Sequence, residues 1–592
     1  MRKTIVRLWF FIKLRPPSHS SLSQVCYDLH MNPETKTCLS CKQNFTIEPD
    51  DFGFYEQMKT PAPTWCPSCR RLRRLAWTGF QHLFKRPCAW TGEQCITIYH
   101  PDSPYTTYKQ DIWWSDQWDP KSYGKDYDFS RSFFEQYDEL LKTVPLPVLH
   151  TEHSTLIDSE YCNGVSDLKN CYLLFMADRA ENCAYFNSCS IAKDCFDLAF
   201  SNNNELCYDG LNLKNCYQTF FSRDCTECHN VAFSADLVGC SDCFVCIGLR
   251  KSQFYIFNQP YTKEEYKEKM KELDFGSHDR VQELKKISEE HFLKYPRKNF
   301  HTIKAYDSSG DYLFNCQNVK NSFWVDTAKD VRYSQLLQAF NTNKAYDYSG
   351  FSYNSEWIYE CAWVGISTNN VKFTYWNYSA HDVEYCYGCH SSGNMFGCVG
   401  IRNGEYCILN KQYSKEEYYE LVEKIKKQMG EIPYVDKLGR EYTYGEFFPN
   451  EICPWAYNET RAQEYFPLQN DEAFMKGFNW REPTGEYKAA TIIIPDHIQD
   501  APLDITKEVL RCVTCGKNYR LIPLEVQFYK RMNIAIPREC SRCRDQGRIH
   551  KLNSMDIFDR TCAKCNKDIE TSYEPTRPEI VYCESCYQNE VA

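Results

Sequence analysis

The 592-residue chain has no long uncharged apolar run, no surplus of positive charge and none of the short signatures that name a reaction. In its opening stretch, MRKTIVRLWFFIKL, Arg7 and Lys13 leave only five uncharged residues between Leu8 and Ile12, far short of the ~20 that cross a bilayer. That stretch also lacks the longer apolar region and small-residue cleavage site of a signal peptide. The expectation is a cytosolic protein with no membrane contact, in which thiols stay reduced and cysteine pairs bind metal rather than each other. Lys+Arg at 69 against Asp+Glu at 79 leaves a net charge of −10, so nucleic acid would have to meet a local patch. A glycine-rich phosphate loop, a Ser-His-Asp pattern and HExxH are all missing.

Core material is plentiful, with 43% hydrophobic and 16% aromatic residues, which excludes global disorder and suits several folding units. The unusual quantity is cysteine, 34 in 592 residues, still below the ~8–10% of small disulfide scaffolds. Met31 begins the more ordinary text MNPETKTCLSC, so residues 1–30 read as an extension outside the fold.

Twelve cysteines fall into six CxxC pairs that combine as Cys38/Cys41 with Cys66/Cys69, Cys512/Cys515 with Cys540/Cys543, and Cys562/Cys565 with Cys583/Cys586. The first two sets share more than spacing. Residues 41–70 lie over 515–544 without a gap, so that Phe45 meets Tyr519, Phe54–Tyr55 meets Phe528–Tyr529, Pro63 meets Pro537 and Arg70 meets Arg544. This is an internal duplication. A CxxC turn aims two sulfurs at one point, and two such turns close a tetrahedral all-thiolate site that suits structural Zn²⁺ and leaves no open coordination position. Modules this short bury too little surface to fold alone, so metal should supply their folding free energy. A rubredoxin-type iron centre is the alternative occupant, and free core thiols the bland one.

The first two modules, with their aromatic middle and CxxCR exit, resemble the zinc-ribbon (treble-clef) domain. Residues 562–587, CAKCNKDIETSYEPTRPEIVYCESCY, are similar to the CxxC-x17-CxxC zinc-binding domain. From about Met31 the chain resembles an uncharacterised bacterial family that carries such modules at both ends of a Cys-rich repeat. That resemblance implies zinc and points to no mechanism.

Between the modules the cysteines are periodic. Cys171, Cys183, Cys195, Cys207, Cys216, Cys228 and Cys240 are spaced 12, 12, 12, 9, 12 and 12. Asn or Asp precedes four of them, at Asn170, Asn182, Asp194 and Asn215, and a short apolar stretch follows. Short fixed periods mark a solenoid. The reading is half-coils of one strand and one Asn/Asp-held turn, with cysteine stacked inside. Two half-coils would then make a coil of about 21 or about 24 residues. Residues 301–410 repeat the theme more loosely, and both blocks end in Y-[TS]-K-E-E-Y, an N-cap (Thr262 or Ser414) opening an amphipathic helix that covers the sheet edge. Cys225/Cys228 and Cys240/Cys243/Cys246 could form a further metal site. The sister block places Ser392 and Met395 over Cys240 and Cys243, which favours core packing. Cys88 and Cys95 are a looser pair.

Several motifs are double-edged. Cys225–His229 and Cys386–His390 spell CxxCH, the haem-attachment string, but attachment needs export, so no haem is expected. In CRRLRRLAW (69–77), Arg70, Arg71, Arg73 and Arg74 form a candidate nucleic-acid contact, against the alternative that they balance a thiolate centre and solvate a helix. Residues 108–120, rich in tryptophan, are read as a linker docking its indoles on the zinc module or first coil rather than as a stacking platform. Asp158 and Asp167 could line a groove as acid and base, but spaced acids on a solenoid are usually turn residues.

The fold expected is mainly β with small α+β zinc modules: two parallel β-solenoid blocks, each capped by a helix and flanked by treble-clef/zinc-ribbon domains. The divisions are module 1 at 31–110, an aromatic linker at 111–154, block 1 at 155–260, a capping region at 261–300, block 2 at 301–412, a capping helix at 413–430, a connector at 431–507, module 2 at 508–556 and module 3 at 557–592. The expected function is a non-enzymatic zinc scaffold whose terminal modules engage nucleic acid or ribonucleoprotein. The alternatives are a protein-assembly scaffold with its partner along the solenoid, and a solenoid enzyme acting on a polymer.

Overall fold

The computed structural model describes residues 32–185, 187–193, 199–205, 207–482 and 487–591. The 1–30 extension, Asp194 and Cys195 lie outside them. The chain is mainly β, a solenoid of about 19 turns with small four-cysteine modules at both ends of the sequence. Among the described residues no helix is long and apolar enough to cross a membrane.

Strands pair in parallel, each with the strand one long cysteine interval further along: Ser166 faces Asp178, Thr219 faces Val231 and His381 faces Gly393. That interval, such as Cys171 to Cys183, is therefore one whole turn and not half of one. The expected coil built from two such units is corrected. The tight closure comes from the backbone. Left-handed residues recur at every third position, with φ of +52° at Asp167, +53° at Asn170, +53° at Leu173 and +56° at Met176. Each is a corner, so four three-residue sides close a turn. Asn and Asp tolerate this conformation better than other non-glycine residues, which is why they recur there.

The expected role of those amides is corrected as well. Rather than bonding to their own turn, they bridge successive coils, as in Asn170 Nδ2 donating to Asn182 Oδ1 (2.7 Å), Asn212 to Asp224 (2.8 Å) and Asn318 to Asp330 (2.7 Å). Asp158 and Asp167 are exposed corners with φ of +48° and +52°, the turn role weighed against catalysis.

The residue after each corner points inward. Leu168, Cys171, Leu174, Ala177 and Ala180 are all buried and share one core cluster with Cys207, Cys216, Cys225, Cys228, Cys240, Cys243 and Cys246. A bore this narrow takes Cys, Val, Leu, Ala, Ser and Thr, and in block 2 also Ile401 and Met395. Cysteine adds a weak donor: Cys171 Sγ donates toward the carbonyls of Lys169 (3.4 Å) and Ala180 (3.5 Å). Serine occupies some of the same positions, and Ser234 Oγ accepts the Cys246 N–H at 2.9 Å.

Both blocks close alike. Asn258 exchanges two hydrogen bonds with the backbone of Ile247, and Asn410 does the same with Val399. A short antiparallel hairpin follows, then the helix Lys263–Lys271 or Lys415–Glu431. Thr262 and Ser414 are the N-caps, each completing a capping box with Glu265 or Glu417.

Block 2 departs from this regular turn twice: its first coil is one residue shorter, Thr302 facing Leu313, and a later stretch is longer. Phe323 still faces Gln335, but Ala328 faces Thr342 and Glu356 faces Asn369, so the coils there are enlarged. The wider bore holds Tyr348, fully buried, whose hydroxyl donates to the carbonyls of Phe351 and Val364.

Candidate metal centres and their docking sites

Each module begins with a hairpin whose first cysteine closes a tight turn. In module 1 the Cys38 N–H donates to Gln43 O (2.8 Å), and Lys42, left-handed at φ +62°, donates back to Cys38 O (3.0 Å). Cys512 with Gly516, and Cys562 with Asn566, repeat the arrangement. The second CxxC opens a helix, Pro67–Ala76, Ser541–Ile549 or Glu584–Val591.

The structure brings together all twelve cysteines named from the sequence. Within each set of four, every sulfur lies within 4.8 Å of the others. Cys41 and Cys66 are 3.7 Å apart, Cys515 and Cys540 3.8 Å, and Cys565 and Cys583 3.9 Å. A tetrahedral ion with metal–sulfur bonds near 2.3 Å separates its sulfurs by about 3.8 Å, so the donor sets fit a soft tetrahedral metal and fill its coordination. Backbone amides add negative-charge stabilisation, Cys66 N–H reaching Cys38 Sγ and Cys583 N–H reaching Cys562 Sγ, each at 3.2 Å. Burial pushes the Cys512 and Cys562 thiols up, but such amide donors outweigh it and bring them to about 7 and about 6. Cys225, Cys228, Cys240, Cys243 and Cys246 join no such cluster among the described residues, and their side chains line the solenoid bore. Cys386 and Cys389 do the same in block 2.

The arginines overturn an expectation. Arg70, Arg71, Arg73 and Arg74 are at most 6% exposed and offer no surface to a phosphate backbone. Arg70, Arg73 and Arg74 bolt the module helix to block 2. Arg70 and Arg74 both pair with Asp347 at 2.9 Å, while Arg73 pairs with Glu360 and with Glu446 (3.0 Å). Three cations thus meet three carboxylates inside the protein. Burial opposes charge on Arg73, and the carboxylates of Glu360 and Glu446 outweigh it. Arg71 instead reaches module 2, pairing with Asp556 at 2.9 Å and donating to Met555 O. The sequence hid this because the matching carboxylates lie hundreds of residues away, Asp347 and Glu360 of them on the enlarged turns.

Module 2 docks on block 1 by the same chemistry. Phe54 stacks on Tyr346 (3.8 Å between ring centroids, 7°) beside Asp347, and its duplicate Phe528 lies 6.2 Å from Tyr208, beside Asp209. Arg548, the duplicate of Arg74, reaches Asp209 at 3.5 Å. A corner Tyr–Asp pair is the receptor in both blocks. Module 3 is held by parallel pairing of Arg297–Lys298 with Val581–Tyr582 and by Tyr587 donating to Asp236. The modules are therefore clamped along the solenoid and against one another.

A fourth copy of the module fold emerges at residues 84–114. Its hairpin pairs Phe84–Pro87 with Gln94–Thr97, Cys88 N–H donates to Glu93 O (2.8 Å), and Gly92 has φ +74°. Ala89 N–H bonds Thr107 O, as Leu39 bonds Thr64, Val513 bonds Arg538 and Ala563 bonds Val581. Lys109 N–H reaches Cys88 Sγ at 3.3 Å, the place of Cys66 against Cys38. Of four ligand positions only Cys88 remains. Thr91, Lys109 and Ile112 occupy the others, and Cys95 stands on the hairpin strand away from them. Aromatic packing replaces metal here. Trp113 is fully buried, 5.7 Å from Trp376 and 5.9 Å from His390, so the tryptophan-rich stretch docks on block 2 rather than on the first coil. With three ligands gone, only the glycine after C-x-x-T was left to betray the knuckle.

No family model and no curated protein matches the chain. What holds of the resemblance is the set of three four-cysteine clusters.

Proposed function

We propose that the protein is a zinc-clamped solenoid scaffold that assembles a protein partner along its coils. The docking of metal modules onto both blocks carries this reading. Structural zinc suits the thiolate sets: it has no redox chemistry, prefers tetrahedral sulfur and would fold modules too small to fold alone. Held by Cys38/Cys41/Cys66/Cys69 and the two C-terminal sets, the ion would fix the angle of each helix that carries arginines into the solenoid.

The burial of Arg70, Arg73 and Arg74 removes the feature that motivated nucleic acid and leaves the protein-assembly reading ahead. Purification from native lysate with metal analysis tests both parts. Three equivalents of zinc and a stoichiometric, nuclease-resistant partner are expected. A nuclease-sensitive mixture, or iron in place of zinc, contradicts the reading.

A further inference from the structure

A cavity of about 560 Å³ opens where block 1, the segment after its capping helices, the first turns of block 2 and module 3 meet. That is within the ~300–1,000 Å³ range of small-molecule sites. Cations and carboxylates share its lining. Three of the cations pair with two carboxylates: Glu289 takes Arg223 (2.6 and 2.8 Å) and Lys551 (3.5 Å), and Glu579 takes Arg577. A fourth cation, Arg297, only 8% exposed, forms no ion pair among the described residues, and its Nη1 is buried without a hydrogen-bond partner. The guanidinium groups of Arg223 and Arg297 both lie over Phe292, at 5.2 and 5.9 Å, and both line the cavity. In a chain of net charge −10, that surplus is local.

The same lining carries carboxylates: Asp224, a solenoid corner next to Arg223, accepts from Asn212, and Asp326 accepts from Asn315. These are acceptors suited to hydroxyl groups. We infer that the cavity binds a small phosphate ester that also carries hydroxyls, a sugar or polyol phosphate, its dianion seated among Arg223, Arg297 and Lys551. Forked guanidinium donors match phosphate geometry, and several cations suit a dianion better than a single carboxylate. Bound there, the ligand would tie module 3 to both blocks.

Calorimetric titration of the metal-replete full chain with ribose 5-phosphate, ribose, inorganic phosphate and citrate tests this. Saturable binding of ribose 5-phosphate and weaker binding of inorganic phosphate are expected, with none for ribose. Arg297→Gln should weaken the ester about tenfold or more. Arg297→Lys should recover part of that loss, and Asp224→Asn should weaken the ester while sparing inorganic phosphate. Circular dichroism and metal content report whether each variant is folded. No binding of either phosphate probe, ribose or citrate binding as tightly as the ester, or an Arg297→Gln variant that binds undiminished would overturn the inference.

Discussion

Arg73 and Glu360 stand 287 residues apart in the chain and meet as a salt bridge in which neither side chain is more than 1% exposed. The pair fixes module 1 on block 2, and Glu446 completes it from the connector.

Removing one partner of a buried pair leaves the other charge stranded. Glu360→Gln should therefore cost about 3–5 kcal/mol in urea unfolding. Replacing both residues, as Arg73→Met with Glu360→Leu, should recover only part of that, because Glu446 then stands without Arg73. A single substitution costing under about 1 kcal/mol would show that the bolt does not hold the module.

The two classes of cysteine should separate by metal content. Cys41→Ser should lower the bound metal from three equivalents to two. Cys228→Ala, in the bore, should keep all three and cost about 1–2 kcal/mol through lost packing. Metal loss in the Cys228 variant would contradict the assignment.

The fourth module copy makes a constructive prediction. Thr91→Cys, Lys109→Cys and Ile112→Cys together should complete a site with Cys88 and raise metal content to four equivalents. A count that stays at three in a folded triple variant would show that the copy does not share the ligand geometry.

The corner rule is testable at Asn318, left-handed at φ +51° and bonded to Asp330. Asn318→Val and Asn318→Gly both lose the inter-coil bond, but only valine is strained there. Thermal unfolding should find valine worse than glycine by about 1–2 kcal/mol.

His301 gives a pH signature at the junction with module 3. Its ring sits 3.1 Å from both Asp311 oxygens; burial opposes its charge, but Asp311 outweighs this and lifts it to about 9. A histidine raised in the folded state contributes fully below its unfolded value near 6.5, and that contribution fades as pH climbs through about 9. Asp311 is shifted downward, so its own share fades in acid. The stability gap between wild type and His301→Gln, about 1–3 kcal/mol at pH 6, should narrow by pH 9.5. A gap independent of pH would remove the pair from the account.

The metal sites were readable because spacing and duplication are local, and so was the repeat, whose period is written in Cys171 and Cys183 and again in Cys216, Cys228 and Cys240. The turn length was not. Cysteine intervals cannot say whether one interval makes half a coil or a whole one. That depends on backbone at residues such as Leu173, Met176 and Phe233, which give no sign of left-handed conformation. The arginines looked like surface because a helix with Arg70, Arg71, Arg73 and Arg74 has no dry partner in its own module. The acids that pair with it are brought in by the solenoid and its connector. Thr262 and Ser414 were legible as caps because a capping box is written within a single turn of helix.

Loss of metal should unfold the modules that clamp the coils. Hydrogen exchange read by mass spectrometry, before and after complete chelation, tests it most directly. The prediction is that Pro67–Ala76 and Ser541–Ile549 lose protection together with their hairpins, while the coils around Val371 and Val383 keep theirs. Modules that stay protected once the metal is gone would contradict it.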